Sequence, residues 1–121
     1  MTSTAKLQKI LSGIDPNIKV HRDFHRGKGE SYIVHEVITE RDEDYADDEP
    51  QSQVDTVRIH YFTKSENNST KIKRAIRRVL RSNGFSIAFT EPLREADTGY
   101  YHIVIQATAI GEADCDTESE E

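Results

Sequence analysis

The sequence predicts an α+β domain, in which a mostly antiparallel four- to five-stranded sheet carries one main helix (about 69–82) and a short N-terminal helix (about 4–13). Three observations predict this class: two segments place apolar residues at helical spacing, the others alternate apolar with polar residues, and the order along the chain is α-β-β-β-α-β-β. The 121 residues fit one domain and are too few for two substantial ones. We therefore expect a single domain over residues 1–110.

The first helix is predicted from four apolar residues at positions i, i+3, i+4 and i+7 within the segment 4–14. The pair Asp15-Pro16 ends it, because proline disfavours a helical conformation in the residue before it. A short strand is expected next, over 18–22. The basic stretch 25–29 has two glycines but lacks the strand-to-helix context of a phosphate-binding loop, so it is predicted to be a turn.

Two longer strands are predicted over 31–39 and 54–63. In the first, Tyr32 and Val34 point to one face and Ile33 to the other, which indicates a central position in the sheet or a contact with another subunit. The intervening residues 40–53 are predicted to form an acidic loop, since a highly charged run does not enter a core. Loops of this length in small domains are functional or disordered. Its acidic candidates are Asp42, Glu43, Asp44, Asp47, Asp48 and Glu49.

The main helix is predicted to begin near Ser69 and to end before Asn83-Gly84, a pair typical of helix C-termini. Its apolar stripe consists of Ile72, Ala75, Ile76, Val79 and Leu80. Two strands, over 85–89 and 100–109, complete the sheet. The remaining residues 111–121 are predicted to form an acidic flexible tail.

The overall charge argues against a general nucleic-acid binder, because Asp and Glu number 22 against 16 Lys and Arg and the formal net charge is −6. The hydrophobic fraction, 35%, lies below the usual ~45–50%, which favours an apolar surface completed by a partner. No apolar run has the length of a membrane span, and no apolar signal core follows Met1. The single cysteine, Cys115, cannot form an intramolecular disulfide. We expect a protein of a reducing cytoplasm.

Catalytic and metal sites find little support in the sequence. His35, His60 and His102 each fall in a different predicted strand and would form a zinc site if they converged, but ordinary polar-face histidines explain the same spacing. The acidic run lacks the glycine and ligand spacing of a calcium-binding loop. No nucleophile elbow, Cys–His pair or carboxylate pair in an apolar setting is present. We predict no enzyme activity, no cofactor and no metal.

The main helix also presents a basic ridge, formed by Lys73, Arg74, Arg77, Arg78 and Arg81. Three interpretations are open: a solvated helix face, a contact with an acidic protein surface, or a contact with nucleic-acid phosphates. The helix lacks interleaved aromatic residues for base stacking. Because the same chain contains the acidic stretch 40–53, copies arranged head to tail would bring opposite charges together in a closed ring.

Four segments in the second half of the chain follow a recognisable order: the strand 54–62, the helix 71–81, the turn Asn83-Gly84-Phe85 and the closing segment 97–102. In this order and composition, residues 30–110 resemble the small tail terminator, or tail-to-head joining, proteins of long-tailed bacteriophages. The resemblance includes no catalytic motif.

The resemblance implies a structural virion subunit that forms a hexameric ring at the head-proximal end of the tail tube. Such a ring stops tube polymerisation and contacts the head neck, so its partners are further copies, the tail-tube protein and a neck protein, with assembly in the bacterial cytoplasm. DNA passes through the channel without specific binding, and acidic residues of 40–53 facing the lumen or the neck would repel it. The alternatives are another neck or head-completion protein, or a monomeric interaction or nucleic-acid-binding module that uses the basic helix 71–81.

Overall fold

The predicted α+β class is confirmed by a computed structural model, which describes residues 3–23, 31–46, 49–64, 66–95 and 99–112. The sheet has five strands in the order β1-β2-β3-β5-β4, and only the β1–β2 pair is parallel. The elements are α1 (Ser3–Ser12), β1 (Lys19–Arg22), β2 (Ser31–Ala46), β3 (Glu49–Thr63), α2 (Glu66–Ser82), β4 (Phe85–Glu95) and β5 (Tyr100–Glu112).

The main core lies between the two helices and one face of the sheet. The predicted stripe of α2 is confirmed, because Ile72, Ile76 and Leu80 are all buried in this core. Helix α1 contributes Leu7 and Leu11. From the sheet come alternate residues of the three central strands together with the first residue of β4, namely Ile33, Val57, Ile59, Tyr61, Ile103, Ile105, Ala107 and Phe85.

The other face of the sheet carries a second, smaller apolar cluster. Tyr32, Val34 and Phe62 are buried there, and Tyr100 packs against them. Residues of β2 are therefore buried on both faces, as the two-sided pattern of the strand predicts. The position of β2 between β1 and β3 explains this burial.

The prediction of a loop over 40–53 is wrong. Strands β2 and β3 continue through this stretch as an antiparallel hairpin, which we call the acidic arm (residues 40–53). The register places Asp42 opposite Gln53, Glu43 opposite Ser52 and Glu49 opposite Ala46, so these acids do not face one another. Like charges directly opposite destabilise a hairpin. The register avoids them at these three positions, whereas at the base of the arm Glu40 lies opposite Asp55. Strand β5 pairs with β3 as far as Ser52, so residues 43–51 have no third strand among the described residues.

The last two strands are also longer than predicted. Strand β4 extends through Pro92 to Glu95, which is possible because β4 is an edge strand and proline there removes no hydrogen bond that the sheet needs. Strand β5 extends to Glu112, so residues 111 and 112 belong to the sheet and not to a tail. The rest of the predicted tail, 113–121, lies outside the described residues. Within the described chain, neither helix combines the length and the apolar character needed to cross a membrane.

Candidate interaction surfaces

The basic surface of α2, which consists of Lys73, Arg74, Arg77, Arg78 and Arg81, lies on the part of the helix that the apolar stripe leaves outside the core. Arg74, Arg78 and Arg81 are exposed, whereas Lys73 and Arg77 are half-buried along the border with the sheet. None of the five has an ion-pair partner among the residues that the structure describes. The surface is therefore a concentration of positive charge on an acidic protein.

A groove separates α2 from β4 and is lined by the two half-buried cations. Its inner part, a cavity of about 180 Å³, is lined by Lys73, Arg77, Thr90, Pro92 and Ile103. Arg77 donates a hydrogen bond from Nη1 to the Thr90 hydroxyl, which fixes its guanidinium across the groove. A neighbouring space of about 370 Å³ shares Lys73, Pro92 and Ile103 and extends the groove toward the N-terminal end of α2. The groove thus combines an apolar floor with cationic side chains.

The acidic arm is anchored to the domain by buried polar residues at its base. Asp55 is 9% exposed and Gln53 8% exposed; the Gln53 amide donates to Asp55 at 2.6 Å, and the Ser3 hydroxyl of α1 donates to the second Asp55 oxygen. Hydrogen bonds of this kind offset the cost of burying a carboxylate. Of the predicted acidic residues, Asp42, Glu43 and Asp44 lie in β2 and Glu49 lies in β3, whereas Asp47 and Asp48 lie outside the described residues.

The end of α2 that contains Arg81 lies toward the arm end of the sheet. Phe85, which follows α2 after a short turn, pairs with Ala109, and Ala109 pairs in turn with Asp55 at the base of the arm. The opposite end of α2 follows Thr63, which pairs with Ser31 at the other end of the sheet. The fold therefore holds the acidic arm and the basic surface in fixed and distinct places.

A row of three rings crosses the sheet face that has no helix. Tyr32 and Phe62 are stacked with their centroids 4.6 Å apart, and Phe62 and His102 are stacked at 4.1 Å. The rings thus present their faces to one another. Single-stranded nucleic acid needs exposed aromatic faces on which bases stack. The ring faces that stack against one another within this row are covered and cannot serve that purpose.

Two of the three strand histidines come together on this face. His60 Nδ1 lies 2.9 Å from His102 Nε2, and His60 Nε2 lies 3.0 Å from Glu36 Oε2. The third, His35, is on the opposite face of the sheet, so the convergence on zinc that the spacing allowed does not occur. In the described part of the chain, no three metal-binding side chains are placed so that they could hold a metal ion together. The pairing of His60 with His102 depends on strand register, for which the sequence contained no signal.

His35 is fully buried and forms a hydrogen bond from Nε2 to the Gln8 side-chain oxygen at 2.7 Å. The Gln8 amide nitrogen donates to the Val20 carbonyl, so Gln8 Oε1 is the acceptor and His35 carries its proton on Nε2. Its Nδ1 is buried without a hydrogen-bond partner. Desolvation lowers the pKa of His35 below the ordinary 6.5; the nearby Asp23 raises it and Arg22 lowers it further. The neutral imidazole is the form that fits the core.

No protein-family model matches the sequence, and no curated protein matches it. The structure establishes the α+β fold, while function must be argued from the two charged surfaces and from the resemblance noted above.

Proposed function

We propose that this chain is a self-assembling structural subunit of the tail-terminator kind: copies form a ring, hexameric as the resemblance implies, that caps the tail tube of a bacteriophage and joins it to the head neck. In this proposal the ring closes when the acidic arm of one copy contacts the basic surface of the next. The virion, at the head-proximal end of the tail, is then its location.

One observation supports this proposal above the others: a single fold carries two stretches of opposite charge at different places. The five cations of α2 have no ion-pair partner among the described residues, and the acidic arm extends beyond the third strand of the sheet. A contact between unlike surfaces of identical copies is heterologous, and such contacts generate closed rings when the rotation between copies closes. Opposite charges at the contact would fix its register and suppress wrong pairings.

The length of the arm is suited to such a contact. Residues 43–46 of β2 and 49–51 of β3 continue past the end of β5, and four strand residues span about 13 Å. This distance is comparable to the thickness of one helix on a neighbouring surface, about 10 Å. An arm of this length reaches across an adjacent helix without any rearrangement of the domain.

The first test is the mass distribution of the protein over a concentration series, alone and with the tail-tube protein encoded in the same genome. We expect monomers that associate weakly alone and rings at tube ends when the tube is present. The charge reversal Arg74→Glu with Arg78→Glu should abolish the rings without unfolding the monomer, since both side chains are exposed.

A matched control is the pair Lys9→Glu with Lys19→Glu, which changes the net charge equally at exposed positions outside α2. This control should form rings normally. The reversal Asp42→Lys with Asp44→Lys on the arm should lose assembly by itself and restore it when combined with the α2 reversal. A strict monomer in the presence of the tube protein, or normal rings from the α2 reversal, would contradict the proposal.

The second candidate is a nucleic-acid-binding module, and the unpaired cations of α2 are the observation that favours it. Binding would then weaken as the salt concentration rises. For each duplex phosphate contacted, the logarithm of the affinity should fall by ~0.9 for every tenfold increase in salt. On the opposite face of the sheet, the ring faces that stack between Tyr32, Phe62 and His102 are not available to bases. A gel-shift assay with duplex and single-stranded DNA at low salt separates the two functions, because retardation that the Arg74→Glu, Arg78→Glu variant loses would favour this one.

A further inference from the structure

The acidic segment that follows β5 has a regular pattern. Asp114, Asp116, Glu118 and Glu120 occupy every second position. Side chains two residues apart lie on the same side of an extended chain, at intervals of about 6.6 Å. In an extended conformation this segment therefore presents a row of four carboxylates on one side, whereas the other side carries Cys115, Thr117, Ser119 and the last residue, Glu121.

The basic surface of α2 contains a row with nearly the same spacing. Lys73, Arg77 and Arg81 are four residues apart, and four helical residues rise about 6 Å. Lys73 and Arg77 line the groove beside β4, where Thr90 accepts a hydrogen bond from Arg77. Over two intervals the rows differ by about 1.2 Å, which long arginine and lysine side chains accommodate. Three carboxylates of the segment thus match three cations of the helix.

The connection between the two rows is short enough for one molecule. Strand β5 ends at Glu112, three residues past Ala109, which pairs with Phe85, the residue that follows the C-terminal end of α2 after a short turn. The four residues from 113 to 116 span about 13 Å when extended, which is the length available to reach Arg81, and the row from Arg81 to Lys73 is about 12 Å long. A segment that turns back after β5 reaches Arg81 first and Lys73 last.

We propose that residues 113–121 dock in an extended conformation along the row Lys73, Arg77 and Arg81 of their own chain. Charge complementarity and matched spacing select this occupant, with Asp116, Glu118 and Glu120 opposite Arg81, Arg77 and Lys73. The consequence for assembly rests on the proposed function: the docked segment covers the surface that receives the acidic arm of a neighbour, so it holds the free chain as a monomer until the arm displaces it.

The single cysteine of the chain makes a direct test possible without any substitution. A nitroxide spin label on Cys115 lies on the side of the segment away from the carboxylates. In isotope-labelled full-length protein, at a concentration where it is monomeric, we expect the label to remove more than half of the amide signal intensity along 73–81 and along the facing part of β4. The amides of β1 should keep their intensity. In 1 M salt the effect should disappear, because the Debye length falls to about 3 Å.

Two matched comparisons separate the proposed docking from unspecific attraction. The composition-preserving variant Asp116→Thr, Thr117→Asp, Glu118→Ser, Ser119→Glu moves two carboxylates to the other side of the segment and should lose most of the effect. On the helix, Lys73→Gln with Arg77→Gln should abolish it, whereas Arg74→Gln with Arg78→Gln, which removes the same charge outside the row, should leave the larger part of it.

Three results would overturn the proposal. Signal loss spread evenly over the surface, or unchanged by the rearranged segment, would mean that the segment is not docked in register. The third result comes from a mixture of spin-labelled protein without isotopes and isotope-labelled protein without a spin label. An effect seen only in this mixture would mean that the occupant belongs to another copy.

The assembly assay then tests the proposed function separately. The variant Asp116→Asn, Glu118→Gln, Glu120→Gln should form rings at lower protein concentration than the wild-type chain. If the spin label confirms docking and this variant assembles no differently, the docking stands and the role of the basic surface in ring closure is refuted.

Discussion

Ile76 is the residue whose truncation should most directly test the packing of α2 on the sheet. It is fully buried at the centre of the stripe, between the helix and the central strands. Ile76→Ala removes about three carbons, each stabilising by roughly 0.8 kcal/mol when buried. The cavity adds up to about 2 kcal/mol if the neighbours do not relax, at ~24 cal/mol per Å³. We therefore expect a loss of about 2.5–4.5 kcal/mol in the free energy of unfolding, a large share of the ~5–15 kcal/mol typical of a domain.

Urea denaturation followed by far-UV circular dichroism measures this loss, with Arg78→Ala as the control on the same helix. Arg78 is exposed, so its truncation should change the free energy of unfolding by no more than about 0.5 kcal/mol. Both variants should keep the wild-type dependence on urea concentration, since the surface exposed on unfolding is unchanged. Equal stabilities for the two variants would refute the orientation of α2, and with it the assignment of the basic residues to its outer surface.

Three further outcomes are expected from denaturation of single variants. Because folding lowers the pKa of His35, the folded state binds fewer protons than the unfolded state. The contribution of His35 to stability is therefore greatest above pH 6.5 and falls as the pH drops below it. The variant His35→Gln should reduce this fall. Gln8→Ala should cost about 1–3 kcal/mol, because it leaves the buried Nε2 of His35 without its acceptor, and a cost near zero would argue against that hydrogen bond. Gly84→Ala should cost about 1 kcal/mol because Gly84 has a φ of 90° at the end of α2, whereas Gly13→Ala, where no such φ is needed, should cost less.

The helices could be predicted from the sequence because their signal is local. Burial of Ile72, Ile76 and Leu80 follows from a spacing that only one side of a helix satisfies. The end of α2 at Asn83-Gly84 follows equally, since Gly84 adopts the left-handed conformation that glycine favours after a helix. These features depend on neighbours three or four residues away and on no distant part of the chain.

The acidic arm could not be predicted because the hydrogen bonds of a hairpin do not require apolar side chains. The acidic run of 40–49 indicates only that the segment stays out of the core, and exclusion from the core does not exclude a strand. The continuation of β4 through Pro92 was missed for a related reason: proline is tolerated on an edge strand, and which strand lies at the edge is decided by the sheet order.

The pair His60–His102 illustrates a third limit. The two residues are 42 positions apart in sequence and come within 2.9 Å because β3 and β5 pair in one register. A shift of one residue would place either histidine on the opposite face. The basic surface of α2, by contrast, was found from the sequence because its five members share one helix.

The charge of the arm itself narrows what the arm can bind. A hairpin that extends past its sheet exposes unpaired backbone groups along both edges, and neutral hairpins of this kind associate edge to edge. Two acidic arms repel each other, so their charge disfavours this association. Within one arm the register keeps Asp42, Glu43 and Glu49 opposite neutral residues, although Glu40 lies opposite Asp55 at its base. The arm is thus folded but still negatively charged, and a cationic surface is the partner that complements it. On this chain the described surface with the greatest concentration of unpaired cations is the outer side of α2, which is why the proposed contact between copies joins the arm to that helix.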